Sequence, residues 1–442
     1  MRLRIILLLT LVFALSTSYA DTIELKVTIT AVDGHIPQSV TLHPYAGDQN
    51  DINANLSNGV YTLRVPIQGA CLYNLRFVQT SYDIMLSAVD KEPTVSIKMA
   101  YDQFKDITIE KCRENEAYKK FAAQVKIYDG KLRTKYIECE NDENCGKGLN
   151  DLLLDYSDEL NDIKNKYKGT YTAEVFCKMR MPVVAKDVKN TAAEYRAGFF
   201  DGVPFGERSI LANPIYKDMI DVYTDFLIEP RISKEEAFIK DLMNKAKADP
   251  KVLSQTAGSL YESLFKRSRE KMLSIFISWY NENKEAVNNP VIDVKVKNLS
   301  KVMPGQHYLD IERKDVAGKP VALKDVVAGS KCTLLLFWSS DCSHCREEMP
   351  LIKEMYEKYH AKGFDIYAAS LEQDLTKWSS YIKENGLSWT NVPNQQEAKG
   401  NPAIDYMVTT TPTLILIDKS GVILHRFVPK NKLEKYLGEA MK

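Results

Sequence analysis

The chain has 442 residues, of which 45% are hydrophobic. That is too long for one compact core, so two or three domains are expected. Lys+Arg and Asp+Glu each number 59, and the cations are scattered, so neither a phosphate-tracking groove nor a nucleic-acid partner is expected. Eight cysteines and six dispersed histidines form no group with metal-ligand spacing, and no metal site is expected.

Residues 1–20 have the layout of a secretory signal peptide: Arg2 and Arg4, an apolar stretch over 5–15 broken only by Thr10, then small residues at Ser18 and Ala20. The apolar stretch is shorter than the roughly 20 residues a membrane span requires. The expectation is cleavage near Ala20, export to the periplasm or an equivalent compartment, and no integral membrane segment in the mature chain. In an oxidising compartment paired cysteines become bridges. Cys139 and Cys145 flank a short acidic loop and can close a local disulfide, whereas the spacing of Cys71, Cys112, Cys177 and Cys332 decides nothing.

Residues 21–110 read as a small all-β domain, sandwich or open barrel. Positions 22–29 alternate polar and apolar, Asp33-Gly34 and Asn58-Gly59 are turn pairs, and strands are expected at 61–65, 72–77 and 94–99. Residues 111–300 read as an α-helical domain. Leu149, Leu152, Leu153, Tyr156, Leu160 and Ile163 are read as one helical face, Asn213-Pro214 marks a helix start, and 250–280 holds one or two helices. The many Tyr and Phe of this region are read as core. Residues 301–442 alternate strands (333–338, 364–370, 413–417, 422–427) with helices (343–360, 375–385, 433–441). This order predicts an α/β domain with a mixed sheet covered by helices on both faces.

The chemistry lies in Phe337-Trp338-Ser339-Ser340-Asp341-Cys342-Ser343-His344-Cys345. A hydrophobic strand ends, and the first cysteine then opens a helix, whose free N–H groups and dipole favour an anion. The thiolate is the reactive form, so Cys342 is the expected nucleophile and Cys345, one turn further in, the resolving thiol. Glu348, three residues on, is placed on the same face to move a proton for Cys345.

These residues resemble thioredoxin-like proteins, and most closely the exported TlpA/ResA type of thiol-disulfide oxidoreductase. Phe337 and Trp338 precede the first cysteine as in thioredoxins. Glu348 and Pro350 match the pattern C-x-x-C-x-x-E-x-P, and Thr411-Pro412-Thr413 matches the loop whose proline is cis in this family. The resemblance implies a thioredoxin-like fold over 301–442, with catalytic Cys342, Cys345 and a buried Glu348. It also implies substrate contacts at Trp338, Thr411 and Pro412, and no cofactor beyond a redox-active Cys342–Cys345 disulfide. Protein substrates bearing thiols or disulfides, and a membrane-bound thiol electron donor, are the implied partners. Trp378, the 387–392 segment and Tyr406 also fit an exported redoxin architecture in which a β domain and a helical domain precede the redox domain.

Two residues depart from the pattern. Asp341 stands where tryptophan is usual and raises the thiol pKa unless it points to solvent. His344 lies between the cysteines, as in the Cys-Gly-His-Cys motif of protein disulfide isomerase, and favours the thiolate; Ser343 completes the redox-tuning set. Reductase and isomerase directions both stay open. A peroxiredoxin-like peroxidase is an alternative, with Ser339 at the right spacing but Leu335 where a proline belongs. An envelope scaffold with a redox-inert domain is another.

Overall fold

The computed structural model describes residues 21–31, 35–45, 50–67, 69–77, 80–100, 103–139, 145–227, 235–394 and 400–442. The signal-peptide reading and the Asp33-Gly34 turn lie outside them. Two compact units emerge, Met1–Met219 and Ile220–Lys442. The division falls inside the helical stretch, so that stretch is not one body: its early helices share a unit with the β-strands, its later ones with the C-terminal sheet.

The first unit opens with eight strands: β1 Asp21–Ala31, β2 Ser39–Pro44, β3 Ile52–Asn55, β4 Tyr61–Ile67, β5 Ala70–Phe77, β6 Thr80–Ser87, β7 Thr94–Ala100 and β8 Gln103–Glu110. They form two four-stranded sheets, ordered β4-β1-β7-β8 and β3-β2-β5-β6. Leu25, Val27, Leu63 and Val65 of one sheet share a core with Leu42, Tyr73 and Leu75 of the other, which makes the domain a sandwich. The strict alternation in β4, inward at Tyr61, Leu63 and Val65, is the period-2 pattern that specifies such a face. Helices α1 Arg113–Cys139, α2 Gly146–Lys166, α3 Cys177–Arg180, α4 Thr191–Gly198 and α5 Ile215–Val222 follow. Leu149, Leu153, Tyr156, Leu160 and Ile163 of α2 are buried as their spacing requires, whereas Leu152, also expected on that face, stands at its edge and is half-buried. Cys139 and Cys145 are bridged, with Cα atoms 5.2 Å apart, while Cys71, Cys112, Cys177 and Cys332 are buried.

The second unit carries α6 Glu235–Ala246, α7 Pro250–Lys266, α8 Glu270–Val287 and α9 Pro290–Ser300. Asp249 caps α7 by accepting from the backbone N–H groups of Lys251 and Val252, with Pro250 at the first turn. The 250–280 stretch is two helices because Ser268 takes a left-handed backbone (φ 54°) that ends α7. A hairpin, β9 Glu312–Lys314 with β10 Pro320–Ala322, and α10 Leu323–Gly329 lead into the α/β domain. Its elements are β11 Cys332–Trp338, α11 Ser343–Tyr359, β12 Phe364–Ser370, α12 Leu375–Asn385, β13 Thr390–Pro393, α13 Pro402–Asp405, β14 Thr413–Asp418, β15 Ile423–His425 and α14 Leu433–Ala440.

The five-stranded sheet runs β13-β12-β11-β14-β15. β12 is parallel to β11 and β13; β14 is antiparallel to β11 and β15. All seven residues of β11 are buried, as a central strand covered on both faces demands. Leu334, Leu336 and Trp338 pack with Met349, Ile352, Trp378 and Leu437, while Phe337 on the opposite face meets Tyr406, ring centroids 5.5 Å apart. The last strand stops at His425, short of the expected 427, because Phe427 has a left-handed backbone (φ 41°). Among the described residues, no helix is long and apolar enough to cross a membrane.

Candidate active site

The site sits at the carboxyl end of β11, where the chain leaves the sheet for α11. Cys342 is the N-cap of α11, and its sulfur accepts the Cys345 backbone N–H at 3.4 Å. The thiol also faces the Thr411 carbonyl, 3.3 Å away. Burial raises its pKa, but hydrogen bonds from the Thr411 side chain and from the Cys345 and His344 backbone outweigh this and hold it below the ordinary thiol value. Cys345 is 2% exposed. Burial, aided by Cys342, pushes its pKa up to about 12. Two like thiols three residues apart are therefore split into an ionisable outer sulfur and a protonated inner one.

The loop before Cys342 is pinned by a residue that the spacing of the motif does not reveal. Glu372, just past β12, is buried and accepts from the Ser340 backbone N–H at 2.7 Å and from the Ser340 hydroxyl. Ser339 Oγ donates to the same carboxylate at 3.4 Å and accepts the Asp341 N–H at 3.1 Å. Its hydroxyl is thereby engaged away from Cys342. Arg346 closes the loop from the other side by donating to the Ser340 carbonyl at 3.0 Å. A carboxylate two residues beyond a strand end was the only signal for Glu372 in the sequence.

Asp341 is exposed and ion-paired with Lys377, which lowers its pKa first through that hydrogen bond. Its charge is thus turned outward, the condition under which it leaves the thiolate little affected. Ser343 and His344 are exposed; His344 gives Cys342 a backbone N–H and gives Glu348 a favourable ring charge. Glu348 is half-buried rather than buried, because its face of α11 opens on a cavity shared with Pro412 and Lys430. Burial nonetheless raises its pKa, against the pull of Lys430 and His344.

Thr411 and Pro412 are half-buried, joined by a cis peptide bond, and stand beside Cys342. Trp338 does not join them. It is 1% exposed and packs against Tyr381, ring centroids 5.7 Å apart. The substrate contact expected of Trp338 is corrected accordingly: as the last residue of a fully buried strand, it supports the loop from the core.

A Thioredoxin-like family model matches residues 329–423. The chain is 33% identical over 127 residues to the thiol-disulfide oxidoreductase ResA of Bacillus cereus, covering 28% of this chain and 70% of that protein. It is 29% identical over 139 residues to ResA of Geobacillus kaustophilus, covering 31% and 77%. Among solved structures, the thioredoxin domain of a thiol-disulfide oxidoreductase from Bacteroides vulgatus is 27% identical, covers 31% of this chain and 98% of that one, and gives a TM-score of 0.30. Through this C-terminal domain the chain belongs to the thioredoxin-like, TlpA/ResA-type family of thiol-disulfide oxidoreductases.

Proposed function

We propose that the protein exchanges disulfides with protein substrates in an exported compartment, using Cys342 as nucleophile and Cys345 as resolving thiol. The observation that carries this reading is the opposed tuning of the two sulfurs, one lowered and partly accessible, the other raised and buried. In the reducing direction the Cys342 thiolate attacks a substrate disulfide. The substrate S–S bond breaks, a mixed disulfide forms, and the first substrate sulfur leaves as a thiolate that takes up a proton. Cys345 then gives its proton to Glu348 and attacks Cys342, releasing the second substrate thiol and leaving a Cys342–Cys345 disulfide. The substrate gains two electrons and the protein loses them. A membrane-bound thiol donor would restore the dithiol, and the same steps run backwards give oxidation.

Export rests on the amino-terminal segment and on the Cys139–Cys145 bridge, which suits an oxidising compartment. Thr411 and Pro412, beside the nucleophile, are the proposed substrate contacts, and no cofactor beyond the cysteine pair is required. The test is capture with Cys345→Ser. This variant should accumulate mixed disulfides with exported proteins through Cys342, and they should be absent from a Cys342→Ser, Cys345→Ser double variant. Equal adduct yields from both would remove Cys342 from the reaction.

A further inference from the structure

A cavity of about 300 Å³ opens beside the Pro412 loop, and most of its walls lie outside the segment that the thioredoxin-like family model matches. Phe265, in the last turn of α7, Met407, Thr409 and Phe427 line it. The two phenylalanines and Met407 are half-buried and Thr409 is exposed, so each of these four keeps surface that an incoming group can touch.

The walls are built before anything binds. Phe265 meets Phe427 edge to face, centroids 5.8 Å apart, and stacks on the buried Tyr261, also at 5.8 Å. Glu270, at the start of α8, accepts the Arg426 backbone N–H and faces His425 Nδ1 at 3.3 Å, which ties the helices to the end of β15. Ser268, Met407 and Phe427 have left-handed backbones, with φ of 54°, 52° and 41°. Among the described residues seven non-glycine residues have positive φ, and these three all border the one cavity. Such a backbone is unfavourable for side chains as bulky as Met and Phe. It persists where the surroundings impose it, and binding sites are where such positions gather.

Position, size and charge together define an occupant. Thr410 and Thr413 line the cavity and bracket Thr411-Pro412, and the Thr411 carbonyl lies 3.3 Å from the Cys342 sulfur. A polypeptide that brings its disulfide to Cys342 along this loop therefore passes the cavity within a few residues of its cystine. A volume at the low end of ligand pockets, about 300 Å³, suits a single side chain. Of the charged lining residues, Glu262 and Lys295 pair with each other, and Lys266 is exposed to solvent. The cavity thus offers rings and a thioether rather than a buried ionic partner, and an apolar side chain matches it.

We propose that this cavity receives an aromatic side chain of the protein substrate, so that α7 selects disulfides with an aromatic residue close to the reacting cysteine. The proposal rests on the exchange reading above. It is tested with the full-length dithiol protein reducing disulfide peptides that carry Phe, Leu or Ala at one position, moved through the three residues on either side of the cystine. Hydroxyethyl disulfide serves as a small substrate with no side chain to place. At one of these positions the Phe peptide should exceed the Ala peptide in kcat/KM by about tenfold, the scale of burying part of one aromatic side chain, with Leu between them. Phe265→Ala should shrink the Phe/Ala ratio towards one where circular dichroism shows an intact fold. Thr409→Trp, at an exposed position, should do the same by filling the cavity without removing any of the core. Equal kcat/KM for the three peptides at every position, with hydroxyethyl disulfide still reduced, would overturn the aromatic subsite and leave exchange standing. A ratio unchanged in both variants would overturn it as well, and so would a dimer in sedimentation that Phe265→Ala dissolves, since the cavity would then belong to a second copy. Failure to reduce any disulfide would overturn both readings.

Discussion

Position along one helix decides what each sulfur and carboxylate at the site does. Cys342 caps α11 and receives backbone N–H groups, whereas Cys345 faces the core among Met349 and Leu336. Glu348 is next on that face, its carboxyl held above the usual 4.5 chiefly by burial. The folded protein thus binds this proton more tightly than the unfolded chain. The resulting stabilisation is complete below about pH 4.5 and lost as pH rises through the folded pKa. Glu348→Gln should therefore not lower stability at neutral pH in urea unfolding, yet should slow resolution of the mixed disulfide by about 10²-fold. Resolution at the wild-type rate would exclude Glu348 as the proton carrier. Lys377 acts on the same site from outside, by turning Asp341 away. Lys377→Ala should raise the apparent pKa of Cys342 alkylation slightly at low salt, and the shift should vanish at high salt.

At the scale of elements, buried carboxylates fasten helices and loops to sheets. Glu114, in the first turn of α1, is fully buried. It accepts from Ser87 Oγ at 2.9 Å, the Tyr171 and Thr172 N–H groups at 2.7 and 2.8 Å, and Thr172 Oγ1 at 2.6 Å. Glu114→Ala strands the buried Thr172 N–H, the half-buried Tyr171 N–H and the Thr172 and Ser87 hydroxyls, and should destabilise the first unit by about 3 kcal/mol in chemical denaturation, without changing exchange at Cys342. The cysteine motif, β11, α11 and the Pro412 loop were legible because a buried strand, a helix cap and a fixed spacing all leave local marks. Strands β2, β3, β6 and β8 left few. β6, for example, buries Ile84, Met85, Leu86 and Ser87 in succession, since its end is covered on both faces. Trp338 was misread for a related reason: position in the motif says where a ring lies along the chain, not that the sheet is covered above it. The role of Glu372 and the burial of Arg426 left little local mark because their partners come from distant segments.

Across the whole molecule, helices recur between 111 and 300, but the unit they belong to changes between Met219 and Ile220. Sequence reports the period and is silent about which core a face meets. That change gives the later helices a place beside the Pro412 loop. The account depends above all on two thiols with different acidities. Alkylation of the reduced full-length protein across pH, read separately at each cysteine by mass spectrometry, measures this directly. Cys342 should label with a midpoint below the ordinary 9.0, and Cys345 should stay protected up to about pH 12 while the fold persists. A common midpoint near 9.0 for both, or no labelling of Cys342 in the native dithiol protein, would contradict the account.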